Sequence, residues 1–99
     1  ACRNLRVRGP FRDLLVVARF PPGARFPLHS HGGFVLGLML GGELTVRQDA
    51  RETVYRAGDS WNETPELVHL AYNASDRPAR LVASYVLGAG AAPDIFVEP

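Results

Sequence analysis

What most constrains this chain is how often it is interrupted. Nearly every apolar run is short and closes on Gly, Pro, Asn or Asp, and no window repeats with a helical period. Residues 13–20 are β-rich and stop at Pro21-Pro22-Gly23, and residues 26–31 end at Gly32-Gly33. Residues 34–40 are almost wholly apolar, which predicts a strand covered on both faces or buried in a barrel wall. Gly41-Gly42 turns the chain into 43–47, where polar and apolar residues alternate as in a half-exposed strand. Further short strands are predicted over 51–56, 61–63, 69–73 and 80–87, separated by turns at 48–50, 57–59, 64–66 and 74–78. Such a succession predicts an all-β sandwich or barrel, a class that includes double-sheet jelly rolls.

Ninety-nine residues allow one domain over 1–99, with a core at 14–87 and an Ala/Gly/Pro-rich tail over 88–99 expected to run along the surface or reach a neighbour. A domain this small buries a modest fraction of its surface, so a metal or a partner chain adds usefully to its stability. The net charge is +1, and all eleven basic residues are arginine. Arg3, Arg6, Arg8 and Arg12 alternate with apolar residues and read as a solvated strand face, not a nucleic-acid footprint. The single cysteine, Cys2, excludes an internal disulfide and any cysteine-cluster zinc site. No apolar run is long enough to span a membrane as a helix. No signal peptide is visible, but the chain opens on Ala1-Cys2, as a trimmed or mature product does, so cytoplasm and periplasm both stay open. There is no Gly-rich phosphate loop and no Ser-His-Asp order in a plausible context.

The three histidines are His29, His31 and His69. Along a strand, residues i and i+2 face the same way, so His29-Ser30-His31 sends both imidazoles to one side, with Ser30 pointing away. A third histidine from a partner strand completes a facial three-nitrogen set for a divalent metal. The opposing reading is a barrel that has lost its metal and keeps the histidines for packing. Against it, three buried imidazoles without a metal need hydrogen-bond partners of their own.

The spacing around these histidines resembles the two consensus motifs of the cupin superfamily. The first, G-x5-H-x-H-x3/4-E-x6-G, runs from Gly23 to Gly42 with both histidines in place. The second, G-x5-P-x-G-x2-H-x3-N, runs from Gly58 to Asn73 with its histidine and asparagine in place. The glutamate of the first motif falls on Val35, or on Leu36 in the longer spacing, and neither binds a metal. In the second motif Thr64 and Glu66 replace proline and glycine, and Pro65 comes one step late. The stretch 58–63 looks like a variant of small bacterial cupins in which an acidic residue follows the Gly-Asp turn. The resemblance implies a cupin-type double-stranded β-helix, a jelly-roll barrel of two antiparallel sheets. It implies one divalent transition metal, with iron, manganese, nickel, copper and zinc all accepting imidazole, on His29, His31 and His69.

Glu63 has two readings. Its parity with Trp61 turns it into the barrel, as a fourth ligand or a general base beside the metal; otherwise it caps a turn or faces water. Asp59 is committed to the turn at Gly58, Glu43 lies past Gly41-Gly42, and Glu66 is expected in solvent. Asn73 is expected to tie strands together. Phe26, Phe34, Met39, Trp61, Tyr72 and Tyr85 are large enough to line a cavity, which Val35 and Gly37 leave room for. A three-histidine metal favours an anionic or enolate ligand in an apolar pocket. Cupins with three histidines and no glutamate include iron-dependent thiol dioxygenases and a diketone-cleaving oxygenase. The resemblance therefore implies an oxygenase-like, isomerase or lyase enzyme acting on a small oxygenated compound. A non-catalytic barrel that binds a small molecule and reports it to a partner is the rival. A homodimer is expected, through the strand around 5–7 or 14–17.

Overall fold

The computed structural model describes residues 10–97. They form nine strands: β1 (Phe11–Phe20), β2 (Arg25–Ser30), β3 (Gly33–Gly41), β4 (Glu43–Gln48), β5 (Arg51–Arg56), β6 (Ser60–Glu63), β7 (His69–Tyr72), β8 (Ala79–Gly88) and β9 (Ile95–Phe96). The described residues contain no helix, hence none long and apolar enough to cross a membrane. A four-stranded sheet, β1-β8-β3-β6, packs on a five-stranded one, β5-β4-β7-β2-β9, and every pairing is antiparallel. This is the expected all-β jelly roll, and the eight expected strands are present with ends shifted by at most two residues.

The core lies between the sheets, where inward positions of β3, β4 and β8 meet: Val35, Met39, Leu44, Val46, Leu81 and Leu87 are all buried. Burial of these apolar side chains is the main force holding the two layers together. Gly37 belongs to the same inward row. A Cβ there would lie 2.5 Å from the Trp61 ring, so the absence of a side chain lets Trp61 on β6 lie over β3. Tyr55 stacks on the same indole at 4.5 Å.

Two expectations need correction. Residues 34–40 are not covered on both faces. Phe34 turns away from the core and is half-buried, while Leu36, Leu38 and Leu40 are 56%, 40% and 47% exposed. They share an outer face with Leu15 and Val17 of β1, because Leu36 and Leu15 both pair with Ser84, and Leu38 and Val17 with Val82. Second, Thr45 is buried, not on a solvent face, since it sits between Val54 of β5 and Tyr72 of β7 in a central strand. The described part of the tail is largely exposed and lies along the surface, but it is paired there. It returns to the barrel and adds β9 to the edge of β2, with Ser30 opposite Ile95 and His29 opposite Phe96. Arg12 is exposed, in keeping with a solvated strand face, and its guanidinium donates to Ala91 O at 2.7 Å and so holds the tail. Arg3, Arg6, Arg8 and the 5–7 segment lie outside the described residues.

Because the Gly37 position has no room, Gly37→Ala is expected to displace Trp61 and cost about 1–3 kcal/mol. Thermal unfolding should show this as a fall in Tm of several degrees. Fluorescence of the single tryptophan should shift at the same time.

Candidate metal centre

A one-residue irregularity in β2 aims the first histidine. Arg25 pairs with Tyr72 and Phe26 with Ala71, but His29 pairs with His69, so the register slips between Phe26 and His29. In a regular strand, residues three apart face opposite ways. The bulge at Pro27-Leu28, where Pro27 has no N–H to lend to the ladder, turns both Phe26 and His29 inward. His31 follows just beyond the end of β2, and His69 opens β7. Glu63 closes β6 directly opposite Val35 of β3, and Tyr85 of β8 is opposite Val35 on its other side.

Each imidazole is pinned through Nδ1. His29 Nδ1–H donates to Pro27 O at 2.6 Å, His69 Nδ1–H to Leu67 O at 2.9 Å, and His31 Nδ1–H to Pro93 O at 2.9 Å. A carbonyl only accepts, so the network assigns the proton of each neutral ring to Nδ1 and leaves Nε2 as a lone-pair nitrogen. The three rings offer ligand atoms within 4.8 Å of one another, and all three residues are buried. His31 Nε2 and His69 Nε2 are 3.2 Å apart. Glu63, 5% exposed, sets Oε1 3.2 Å from His31 Nε2 and Oε2 2.8 Å from His69 Nε2.

Lone pairs therefore face lone pairs. A carboxylate and imidazole Nε2 atoms converge with no hydrogen-bond donor among them, which is unfavourable until a cation enters. A proton supplies one ring at a time, whereas a divalent ion serves the whole set. Three imidazoles and a carboxylate are a donor set suited to a divalent transition metal. Carbonyl acceptors behind each ring are the supporting contacts that orient metal-bound histidines.

Among the protein groups alone the charges are strongly coupled. When a proton does sit on an inner Nε2 it supplies the missing donor: burial works against an ionised Glu63, but such hydrogen bonds from His31 and His69 outweigh it and hold the carboxyl down at about 2. Burial also opposes a charged His31, yet its hydrogen bond with Glu63 and the Glu63 charge win and raise it. For His29 desolvation dominates and lowers it to about 4, so that ring stays neutral. Tyr85 packs edge-on against His31 at 5.2 Å, and burial, reinforced by Asp94 and Glu63, pushes its phenol up to about 12.

The cluster opens on a cavity of ≈ 470 Å³ whose walls are mostly apolar, with Phe26, Trp61, Val35, Val46 and Leu81 among them. Arg19, Arg25, Tyr85 and Asp94 add polar groups to its lining. Of the other large residues expected there, Met39 is in the core, Phe34 faces outward, and Tyr72 donates to Glu52 on the outer surface at 3.0 Å. Asn73 stays away from the cavity and ties strands: its Nδ2 donates to Phe20 O at 2.9 Å and Arg77 O at 2.7 Å. Asp59 closes its turn by accepting from Arg56 N–H at 2.8 Å. Glu43 pairs with Arg56, and Glu66 is exposed at positive φ. Pro93 and Asp94 were not foreseen beside His31. No period or motif marks the tail, and only the fold returns it to the barrel.

A closed double-sheet barrel with inward imidazoles and a carboxylate at the head of an apolar cavity defines a small metal-site jelly roll. The chain belongs to the cupin family, whose cupin domain matches residues 16–85. An uncharacterised protein with a double-stranded β-helix domain from Klebsiella pneumoniae is 26% identical, with a TM-score of 0.74 over 88% of this chain and 76% of that one. A predicted oxalate decarboxylase from Thermotoga maritima is 25% identical, with a TM-score of 0.69 over 75% of this chain. An oxalate oxidase is 26% identical, with a TM-score of 0.71 over 86% of this chain. This chain spans 65% of the decarboxylase and 46% of the oxidase. No curated protein matches the sequence.

Since Glu63 faces two of the three imidazoles, Glu63→Gln keeps the shape and removes the charge. It is expected to weaken divalent-metal affinity about tenfold or more while far-ultraviolet circular dichroism stays that of wild type. Competition against a chromogenic chelator measures the first quantity.

Proposed function

We propose that this chain is a metal-dependent enzyme acting on a small oxygenated organic compound, with one divalent transition metal on His29, His31 and His69, and Glu63 beside it. One observation carries the reading: imidazole nitrogens and a carboxylate meet without a donor between them, at the head of an apolar cavity. Bound there, a divalent ion supplies Lewis acidity and, if it is iron, manganese or copper, one-electron chemistry. The protein's part is to orient and to exclude water. The carbonyls of Pro27, Leu67 and Pro93 keep the Nε2 atoms turned to the centre. Glu63 serves as ligand, or as the base that takes a proton at Oε1 or Oε2. Tyr85, kept protonated by its surroundings, offers its Oη–H from the cavity lining. It is placed to donate to an oxygen of the substrate.

The cavity favours a substrate with a small apolar body and an anionic oxygen group. Apolar walls suit the body, while the metal and the arginines of its lining, Arg19 and Arg25, attract the anion. The oxalate-linked activities of two similar structures agree with a small oxygen-donor anion. Elemental analysis of protein from its native host should find close to one divalent transition ion per chain. His29→Ala, His31→Ala and His69→Ala should each abolish stoichiometric binding. Full occupancy in the His69 variant would remove that residue from the ligand set. A protein that takes up metal and a small acid but never converts it is the non-catalytic binding barrel instead.

The exposed apolar face of the β1-β8-β3-β6 sheet is proposed to pair with a second copy of the chain, through Leu15, Val17, Leu36 and Leu38. Three long strands at ~4.8 Å spacing and ~30 Å length, with the short β6 beside them, cover roughly 500 Å². That is smaller than the ~800 Å² each partner buries in a standard interface, as in a pair of moderate affinity. Sedimentation at tens of micromolar (about 20–50 µM, where a stable pair stays associated) should give a dimer, and Leu15→Glu with Leu36→Glu a monomer. A wild-type monomer refutes the pairing.

A further inference from the structure

The three histidines are not supported alike. His29 and His69 each donate Nδ1–H to a carbonyl two residues earlier in the chain. His31 alone is served by a remote segment. The tail brings Pro93 O to 2.9 Å and Asp94 Oδ1 to 3.0 Å from the same Nδ1. The carbonyl takes the proton in good geometry, and Asp94 Oδ1 is left buried without a hydrogen bond of its own.

That oxygen needs an explanation. A buried carboxylate oxygen with no donor is unfavourable unless positive charge faces it. A neutral imidazole offers little. An imidazole whose Nε2 is bound to a cation carries more positive charge at Nδ1–H, and the two acceptors behind it then stabilise the loaded ring. The seat of the tail is specific. Gly32 N–H donates to Ala92 O at 3.0 Å and Val97 N–H to Leu28 O at 2.9 Å. A Cβ on Gly32 would lie 2.2 Å from Ala92 O, so only glycine lets the tail pass this close.

We propose that Asp94 is a positioning residue of the metal centre: its carboxylate, delivered by the tail, strengthens and orients His31 as a ligand by acting on Nδ1. The proposal rests on the metal reading above. It makes the C-terminal segment part of the site, and it makes His31 the strongest donor of the three rings.

The test uses Asp94→Asn, which keeps size and one carbonyl oxygen but removes the charge, and Asp94→Glu, which restores the charge on a longer arm. Zn²⁺ affinity is read by chelator competition, and the ligand field by the visible spectrum of the Co²⁺-loaded protein. Asp94→Asn should bind Zn²⁺ about 10- to 100-fold more weakly, shift the Co²⁺ bands, and leave the metal-free Tm unchanged. Asp94→Glu should recover part of the affinity. In ¹⁵N spectra of the metal-free protein, Asp94→Asn should move the His31 ring signals and leave those of His29 and His69 in place. Wild-type affinity in Asp94→Asn with unmoved His31 signals overturns the proposal. So do equal losses in both variants accompanied by a lower Tm, which would make Asp94 a packing residue. A wild-type chain that takes up no divalent ion refutes the metal reading instead, and the His31 signals then decide on Asp94 alone.

Discussion

The site depends on a simple electrostatic arrangement: each imidazole spends its one proton outward, on a backbone carbonyl, and turns a bare nitrogen inward. Once that is fixed, the interior of the cluster holds only acceptors, and Glu63 adds more. Burying such a set is costly in isolation. The surrounding barrel holds it in place through the antiparallel ladders and the packed layer of Met39, Leu44, Leu81 and Leu87. The fold keeps an unfavourable constellation assembled, and this prepares it for a cation.

Much of this is legible in the sequence, for definite reasons. Turn residues between short β-rich runs suffice for the fold class, because strands of this length bury apolar surface only as stacked sheets. The histidine spacing is legible because strand periodicity is two and both motifs lie on strands or at their ends. Glu63 is legible from its parity with Trp61. What escapes is whatever depends on contacts between distant segments. An apolar run such as 34–40 reads as covered on both faces or buried in a barrel wall, yet composition cannot say whether the covering layer belongs to the same chain, and here Leu36, Leu38 and Leu40 face outward. The bulge at Pro27-Leu28 is hinted at only by the proline. Asp94 is invisible, since a two-residue strand has no period and its neighbour in space is 63 positions away in β2's wake (His31 to Asp94).

The two faces of the four-stranded sheet divide the labour. Its inner face supplies Val35, Gly37, Ala83 and Tyr85 to the core and cavity, while its outer face carries the exposed Leu15, Val17, Leu36, Leu38 and Leu40 around Ser84. Because side chains alternate, each strand serves both at once, and a one-residue slip of β3 would exchange them. Such a slip would put Leu36 and Leu38 into the cavity and take Val35 out, which ties the register of this strand directly to the room left beside the histidines.

Val35 and Glu63 stand opposite each other across β3 and β6. Where the first motif would carry a carboxylate on β3, one stands instead on the neighbouring strand, across the same rung of the ladder. On the reading proposed above, a ligand has changed its address in the sequence while keeping its address in space. For a sheet, the natural unit of a site is then the cross-strand pair and not the linear motif. A barrel whose motif lacks its acid should be judged by the residue hydrogen-bonded beside the gap before it is counted as having lost a ligand.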